Sequence, residues 1–336
     1  MTTHLQLVRQ LDPYRTKLKP LGLDSLEAFV SVATASPLAL SNYLGVPVEQ
    51  LLKGIDLPTF QLSAEQTAAL SVSCPLDQET ASRPSASFDS TTLPAPADAP
   101  PVGNVNLIAQ MPPIRGQGTR NTCVAFASLA AYEHLLGVSG NPVLLSEQYL
   151  YCKCKSTDGH YSTGGSSIFF AFLALHNFGC CPLQEWPYNP NQDPSNEGQC
   201  PPPDGADADA ATYRLAAPVS IPPRAVGLYR NYLSADRCVA FGFPVFNSSV
   251  SNPQARLTGS FVNPIPGEPF VGNHALCAVG YADMPDRADL GGGLFLVRNS
   301  WWPGWATQSP IAPGYGTISY YYVANYAAQA CAIGAV

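Results

Sequence analysis

The residue best placed to do covalent chemistry is Cys123, which follows a glycine-containing turn and opens the stretch CVAFASLAAYEHLL. Alanine, leucine and glutamate favour a helix, so Cys123 is predicted at a helix N-terminus. Unpaired backbone N–H groups and the positive end of the helix dipole favour a thiolate there, and the thiolate is the nucleophilic form of cysteine. By itself the position is more typical of a buried structural thiol, so the interpretation depends on what accompanies Cys123.

Further motifs accompany Cys123 in a definite order. Gln117 lies six residues before it, and His274 lies 151 residues after it in GNHALCAVGY. Asn299 follows in RNSWW. Between and after these residues stand LSEQYL (145–150), TGG (163–165), EWPY (185–188) and GYGTI (314–318).

With these motifs in this order over about 220 residues, the chain resembles the papain-like cysteine peptidases. The resemblance implies that Cys123 is the nucleophile and that His274 is its general base and acid. It further implies that Asn299 orients the histidine and that Gln117 donates to the oxyanion, each oxyanion donor contributing about 3 kcal/mol. Trp301 would shield the bond between the histidine and the asparagine from water.

The same resemblance assigns roles to residues that contact substrate. Gly164 and Gly165 would pair with the substrate backbone, Ala275 would line the S2 subsite, and Trp301 would also border the cleft. A disulfide between Cys200 and either Cys152 or Cys154 is implied as well, and the other cysteines apart from the nucleophile are expected to be buried free thiols.

Several positions depart from the family pattern. Arg120 replaces a cysteine, so one usual disulfide cannot form, and Val124 replaces an aromatic residue after the nucleophile. Trp302 stands where a glycine follows Asn-Ser-Trp, and residues 306–313 are interpreted as an insertion. The chain ends at Val336, about where the family builds part of the S2 subsite, so the resemblance predicts no substrate preference.

Length and charge limit the organisation and the partners. The 336 residues allow one substantial domain and a smaller module, and 46% hydrophobic residues allow a real core. A net charge of −7 disfavours a nucleic-acid surface, and no apolar run approaches the ~18 residues of a membrane span. Arg9, Asp12 and Arg15 interrupt any signal peptide, which predicts a cytoplasmic protein, with export by another route left open.

Composition divides the chain into three parts. Residues 1–72 are predicted as a small α-helical module, a pro-region or regulatory domain, whose first 60 residues carry five basic and five acidic side chains and so offer no field for nucleic acid. Residues 73–103, rich in Pro, Ser and Ala, are predicted as a linker or an extended inhibitory segment. Residues 104–336 are predicted as the peptidase domain. We expect part of residues 73–103 to occupy the cleft and activation to cleave near 95–110.

The predicted fold class of residues 104–336 is α+β, with two subdomains and a cleft between them. Helices are predicted over 123–137, 145–153 and 166–178, and strands in VAFGFPVF, HALCAVGYA, GLFLVRNSW and YGTISYYYV. In terms of the resemblance, the helical half carries the Cys123 helix, and a β-barrel-like half carries His274 and Asn299.

The leading functional hypothesis is hydrolysis of polypeptides through a thioester on Cys123, in a zymogen inhibited by its own N-terminal segment. Two alternatives remain open: a pseudoenzyme that binds peptides without cleaving them, and acyl transfer to an amine by the same three residues. We expect no cofactor and no metal, because Cys152 and Cys154 near His160 lack the second ligand pair of a zinc site.

Overall fold

The structure is a computed structural model that describes residues 9–53, 63–77 and 103–334. Its helices alternate with short connections before residue 77 and lie mainly ahead of the strands after residue 103. The α-helices are α1 (Arg15–Leu18), α2 (Leu26–Ala35), α3 (Pro37–Leu44), α4 (Val48–Leu52), α5 (Ala64–Ser71), α6 (Cys123–Val138), α7 (Glu147–Asp158), α8 (Ile168–Asn177), α9 (Ala206–Ala210), α10 (Val226–Ser234), α11 (Asn247–Val250), α12 (Pro253–Thr258) and α13 (Tyr320–Tyr326). None of these helices is both long and apolar enough to cross a membrane, as far as the described residues extend.

One eight-stranded sheet forms the second half of the domain, in the order β2-β8-β3-β5-β6-β7-β4, with β1 paired to β5. Its pairs are antiparallel except for β4 with β7. The strands are β1 (Asn104–Asn106), β2 (Pro218–Ser220), β3 (Val239–Phe246), β4 (Ser260–Phe261), β5 (Phe270–Asp283), β6 (Gly293–Arg298), β7 (Tyr315–Ser319) and β8 (Gln329–Ile333).

Three apolar cores lie in this architecture. The first packs the sheet against α10 and α13, and the second packs α6, α7 and α8 against one another. Helix α6 is buried from Cys123 to Leu135 without a solvent-facing stripe, as expected of a helix that is apolar all round. The third core belongs to the N-terminal helices and takes in Ile265 of the peptidase domain. The predicted α+β fold, with a helical half, a β half and a helical N-terminal module, is confirmed.

The N-terminal helices contact the peptidase domain through polar groups as well. The hydroxyl of Ser36, at the start of α3, donates to the carboxylate of Glu268. The same carboxylate accepts from the backbone N–H groups of Ser248 (2.9 Å) and Ile265 (3.2 Å). Glu268 thus joins the α2–α3 turn to helix α11 and to the loop after β4.

One strand prediction is wrong over its last four residues. YGTISYYYV begins as β7, but the strand ends at Ser319 and Tyr320–Tyr326 is helical. The hydroxyl of Ser319 accepts the backbone N–H of Tyr322 (2.9 Å) and caps this helix. The local cap therefore outweighs the strand preference of tyrosine and valine.

Candidate active site

Cys123 is the first residue of α6, as predicted, and only 4% of its surface is exposed. Burial, foremost, and the neighbouring Asp77 raise the pKa of its thiol to about 12. Backbone N–H groups of Ala275, Val124 and Cys123 itself act in the opposite direction. Two of these N–H groups belong to the helix N-terminus, and the third belongs to the strand that carries His274, so the thiol lies where the two halves meet.

His274 lies on β5, opposite Phe243 of β3, and is 2% exposed. Its ring nitrogen Nε2 lies 2.7 Å from Oδ1 of Asn299, the residue after β6. The same Oδ1 accepts the backbone N–H of Ser300 (2.7 Å), which identifies it as the oxygen end of the carboxamide. Nε2 must therefore carry the proton, and Nδ1 is left as the basic nitrogen of the neutral ring.

His274 lies in a buried environment. Burial lowers the pKa of His274 to about 3, although the hydrogen bond to Asn299 acts in the opposite direction. The indole of Trp301 stacks on the imidazole with ring centroids 4.1 Å apart and planes 26° apart. Trp301 is itself 3% exposed, so it covers the bond between His274 and Asn299, the shielding position expected of it.

The loop before α6 holds Gln117 close to this pair. The backbone N–H of Gln117 donates to the carbonyl of Ser300 (2.9 Å), and its Oε1 accepts the Ser300 hydroxyl (2.6 Å). Its Nε2 donates one hydrogen to the carbonyl of Arg120 (2.6 Å). A primary amide has two such hydrogens, so one remains for a further acceptor.

Tyr188 fixes both ends of the loop that leads into Cys123. Its hydroxyl donates to the carbonyl of Gln117 (2.9 Å) and lies 2.7 Å from Oγ1 of Thr122. The four residues of the predicted mechanism, separated by up to 182 positions in the chain, are therefore held within one connected network.

Residues 105–331 match the model of the papain family of cysteine proteases. The chain belongs to this family.

Curated relatives match the same part of the chain. A peptidase C1-like protein of Acanthamoeba polyphaga mimivirus is 27% identical over 220 residues, which are 62% of this chain and 65% of the relative. Cathepsin J of Mus musculus is 28% identical over 195 residues, 57% of this chain and 54% of the relative. The chain thus spans less than two thirds of the length of these relatives.

Solved structures share the fold. Xylellain, a cysteine protease from Xylella fastidiosa, matches with a TM-score of 0.61 and 24% identity over 79% of this chain and 96% of its own. Digestive procathepsin L 3 of the Tenebrio molitor larval midgut matches with a TM-score of 0.50 and 17% identity over 93% of this chain and 90% of its own. At this identity the likeness shows the papain fold alone.

Arg120, which stands where papain-like enzymes have a bridging cysteine, makes other links. Its guanidinium is fully buried and donates to Oε1 of Gln148 and to the carbonyl of Asn189 (both 2.7 Å), and to the carbonyl of Glu197. It also lies over the ring of Tyr151, 5.4 Å from the centroid. One side chain therefore ties the loop before Cys123 to α7 and to residues 189–197.

The predicted disulfide is present as Cys152–Cys200. Cys154 is a buried free thiol, which resolves the choice between the two cysteines of α7. Cys180, Cys181, Cys238, Cys277 and Cys331 are buried and free as predicted, whereas Cys74 is only partly buried.

The two glycines predicted to pair with substrate differ in their surroundings, since Gly164 lies against Asn121 and Gly165 lies against Asp77. The N–H of Gly165 donates to the hydroxyl of Tyr151, and its carbonyl accepts Nζ of Lys155, both at 2.8 Å. Because a backbone N–H makes one good hydrogen bond, Gly165 keeps only a carbonyl lone pair for substrate in this arrangement. Gly164 packs against the side chain of Asn121.

The segment Val72–Asp77 crosses the site. Asp77 pairs with Asn273, the residue before His274, through two backbone hydrogen bonds of 2.9 and 2.7 Å. A Cβ at Gly165 would lie 1.9 Å from a carboxylate oxygen of Asp77, so this side chain rests directly on that glycine. At its other end, Val72 packs on Gly304, and its carbonyl accepts from Arg256.

Sequence reasoning missed three contributors to the site: Ser300, Arg120 and Asp77. Ser300 had a signal, its place in the Asn-Ser-Trp motif. The gap in the family's cysteine pattern marked Arg120 as different, without indicating its partners. Asp77 lies in a segment expected in the cleft, but no sequence pattern distinguishes it from its neighbours. Residues 78–102 of that segment lie outside the described residues, and so does the first part of the expected cleavage region.

Proposed function

We propose that this chain is a cysteine peptidase that hydrolyses polypeptides through Cys123, His274 and Asn299, with Gln117 as an oxyanion donor. The observation that carries the proposal is the fixed tautomer of His274. Its Nε2–H is committed to Asn299 beneath Trp301, so Nδ1 is the nitrogen available to accept a proton. The N–H of the next residue, Ala275, contacts the Cys123 thiol, so the basic nitrogen and the thiol belong to one site.

The proposed reaction uses these groups in sequence. His274 takes the thiol proton at Nδ1, and the thiolate attacks the carbonyl carbon, whose π electrons move onto oxygen. The second Nε2 hydrogen of Gln117 and the Cys123 N–H hold this oxyanion. The C–N bond then breaks as the imidazolium gives its proton to the leaving amine, and a thioester remains. His274 next deprotonates a water molecule, which attacks the thioester and releases the acid and the thiol.

We further propose that the chain is made as a zymogen whose own segment Val72–Asp77 is the inhibitor. This segment pairs with the backbone beside His274 and fills the space over Gly165, which is the space a substrate would need. With the segment in place, Cys123 and His274 are both buried. With a thiol pKa of about 12 and an imidazole pKa of about 3, both groups are neutral at pH 7, and the thiolate–imidazolium pair does not form.

Activation then requires that the segment leave the cleft. Strand β1, Asn104–Asn106, pairs with β5 and belongs to the sheet. A cut after this strand would remove one edge partner of the strand that carries His274. We therefore propose cleavage on the N-terminal side of Asn104, in the part of the predicted 95–110 region that preserves the sheet.

Labelling of the thiol by an epoxide inhibitor tests the peptidase proposal. We expect the chain, after incubation at mildly acidic pH with reductant, to be labelled once and to cleave a peptide library, and Cys123→Ala to do neither. N-terminal sequencing of the same sample reports the cleavage site. Labelling without cleavage of any peptide would favour a binding protein, and products that carry an added amine would favour acyl transfer.

A separate variant tests the inhibitory role of the segment Val72–Asp77. Asp77→Ala removes the side chain that rests on Gly165, so the uncut chain should be labelled at Cys123 faster than the wild type. Glu65→Ala, an exposed acidic residue on α5, is the matched control and should behave as the wild type. Equal labelling rates in all three proteins, or full activity of the uncut chain, would contradict the inhibitory role.

A further inference from the structure

A small cavity lies next to the active site and is lined in part by Asn299 and Ala275. It has a volume of about 10 Å³, and its polar lining consists of Arg115, Glu147, Arg298, Asn299 and Ser300. A space of this size holds one water molecule when two to four polar groups line it. The cavity therefore has the size and the lining of a buried water site.

The cavity is lined by both hydrogen-bond donors and hydrogen-bond acceptors that lack partners. Nδ2 of Asn299, Nη1 of Arg115 and Oε2 of Glu147 are buried, and none has a hydrogen bond to any described residue. Glu147 is 1% exposed, and one of its oxygens lies 2.5 Å from Nε of Arg115 as an ion pair. A single water could accept from the two donors and donate to the carboxylate, which would satisfy all three side chains at once.

We infer that one water molecule occupies this cavity and links the carboxylate of Glu147 to Nδ2 of Asn299, so that Glu147 is a positioning residue for the catalytic histidine. The inference rests on the proposed peptidase function. Asn299 presents Oδ1 to His274, and the water holds the opposite end of the same carboxamide. Rotation of Asn299 about its side-chain axis, which would present a donor to the Nε2–H, is thereby opposed.

The charge of Glu147 decides whether the water can do this. An ionised carboxylate accepts from the water, whose lone pairs then face the two donors. A protonated Glu147 donates its O–H to the water, and the hydrogens of the water must then point toward groups that are themselves donors. Ionised Glu147 therefore holds Asn299, and protonated Glu147 releases it.

The groups around Glu147 bring the pKa of its carboxyl close to neutral pH. Burial raises the pKa of Glu147 to about 7 against the opposing effect of Arg115, and Glu133 of α6 raises it further while Arg298 of β6 lowers it. Cys180 and Tyr188 face it from the loop after α8 and carry no charge at neutral pH, because burial raises the pKa of both. Arg115 and Glu147 also line a surface cavity of about 820 Å³, which gives protons a route from solvent.

The test is the pH profile of the activated peptidase. We expect the kcat of the wild type to fall as the pH is lowered through about 7, with KM little changed. In Glu147→Gln, kcat at pH 8 should be about tenfold lower, and the fall near pH 7 should be absent. Glu147→Asp keeps an ionisable group and should retain a pH-dependent kcat, which separates positioning from a merely structural role.

Glu133→Gln is the matched control. Glu133 belongs to the same cluster of charged side chains, but its carboxylate does not line the small cavity. Glu133 raises the pKa of Glu147, so this variant should keep the fall in kcat and move it to lower pH. An unchanged profile in Glu147→Gln would overturn the inference. A high-resolution crystal structure with an empty cavity would overturn the inference even if the variants fail to fold. A wild type that cleaves no peptide would instead contradict the proposed peptidase function.

Discussion

The two walls of the cleft hold their functional groups by different means. On the β wall, His274 and Asn299 are positioned by the register of β5 between β3 and β6 and by the stacked ring of Trp301. On the helical wall, Cys123 and Gln117 follow irregular loops whose shape depends on single buried polar side chains, above all Arg120 and Tyr188. On the β wall, the many backbone hydrogen bonds between paired strands share the support of each residue. The loops of the helical wall depend on a few side chains, so we expect a single substitution to disrupt the helical wall more readily.

The largest effect is expected on the β wall, and on rate alone. His274→Ala removes the proposed proton acceptor but leaves the strand pairing of β5 intact, so kcat/KM of the activated enzyme should fall by a factor of about 10⁴ with little change in the urea midpoint of unfolding. His160→Ala is the control, since His160 is exposed. A loss of less than tenfold would mean that another group takes the proton.

The next effect is expected on the helical wall, and on stability. Arg120→Met leaves the acceptors of Gln148, Asn189 and Glu197 buried without their donor, which should lower the free energy of unfolding by about 3–5 kcal/mol. Activity should fall too, because Gln117 donates to the carbonyl of residue 120. Urea unfolding of the uncut chain measures the first effect and peptide cleavage the second.

Arg120→Lys sharpens that comparison. Lysine keeps the charge but not the planar fork that reaches three acceptors, so this variant should lie between the wild type and Arg120→Met in stability. Wild-type stability in both variants would show that the helical wall is supported as redundantly as the β wall.

The smallest effect concerns the segment that lies between the walls. In the covered site the pKa of His274 is about 3, below the ordinary value of about 6.5, so an uncovered site binds the proton more readily. Lowering the pH from about 6.5 toward 3 should therefore weaken the cover progressively.

Hydrogen exchange measures this uncovering directly. Protection factors of the Asp77 and Asn273 amides, which pair across the cleft, should fall between pH 7 and pH 5. Amides in the β6–β7 ladder should stay protected over the same range. Unchanged protection at Asp77 would mean that the titration of His274 is not coupled to the segment.

The sequence predicted most of what regular elements determine. The start of α6 at Cys123, the limits of β3 and the place of His274 in a strand all follow from local composition and pattern. The identities of Cys123, His274 and Asn299 as one group came from the ordered motifs, and the structure brings His274 and Asn299 into hydrogen-bond contact and the Cys123 thiol against the residue after His274.

What the sequence could not predict depends on contacts with groups that leave no pattern. Two of the acceptors of Arg120 are backbone carbonyls, at Asn189 and Glu197, which any residue would provide. Asp77 is one acidic residue in a segment without periodicity. The helix at Tyr320–Tyr326 depends on the cap provided by Ser319, although its first four residues favour a strand. Composition alone therefore predicts a strand there.

The cores on the two sides of the cleft share residues. Ala240, Ala275, Cys331 and Ile333 belong to strands but pack in the helical core, and Ala130 and Ala131 of α6 pack in the core of the sheet. Separating the two halves would expose this apolar surface to water at a cost of about 25 cal/mol per Å², which opposes a hinge-like opening of the cleft. Under the proposed inhibition, access to Cys123 is limited by a single unimolecular event, the departure of Val72–Asp77. The labelling rate of the uncut chain should accordingly level off at high inhibitor concentration, and that plateau is the rate at which the segment lifts away.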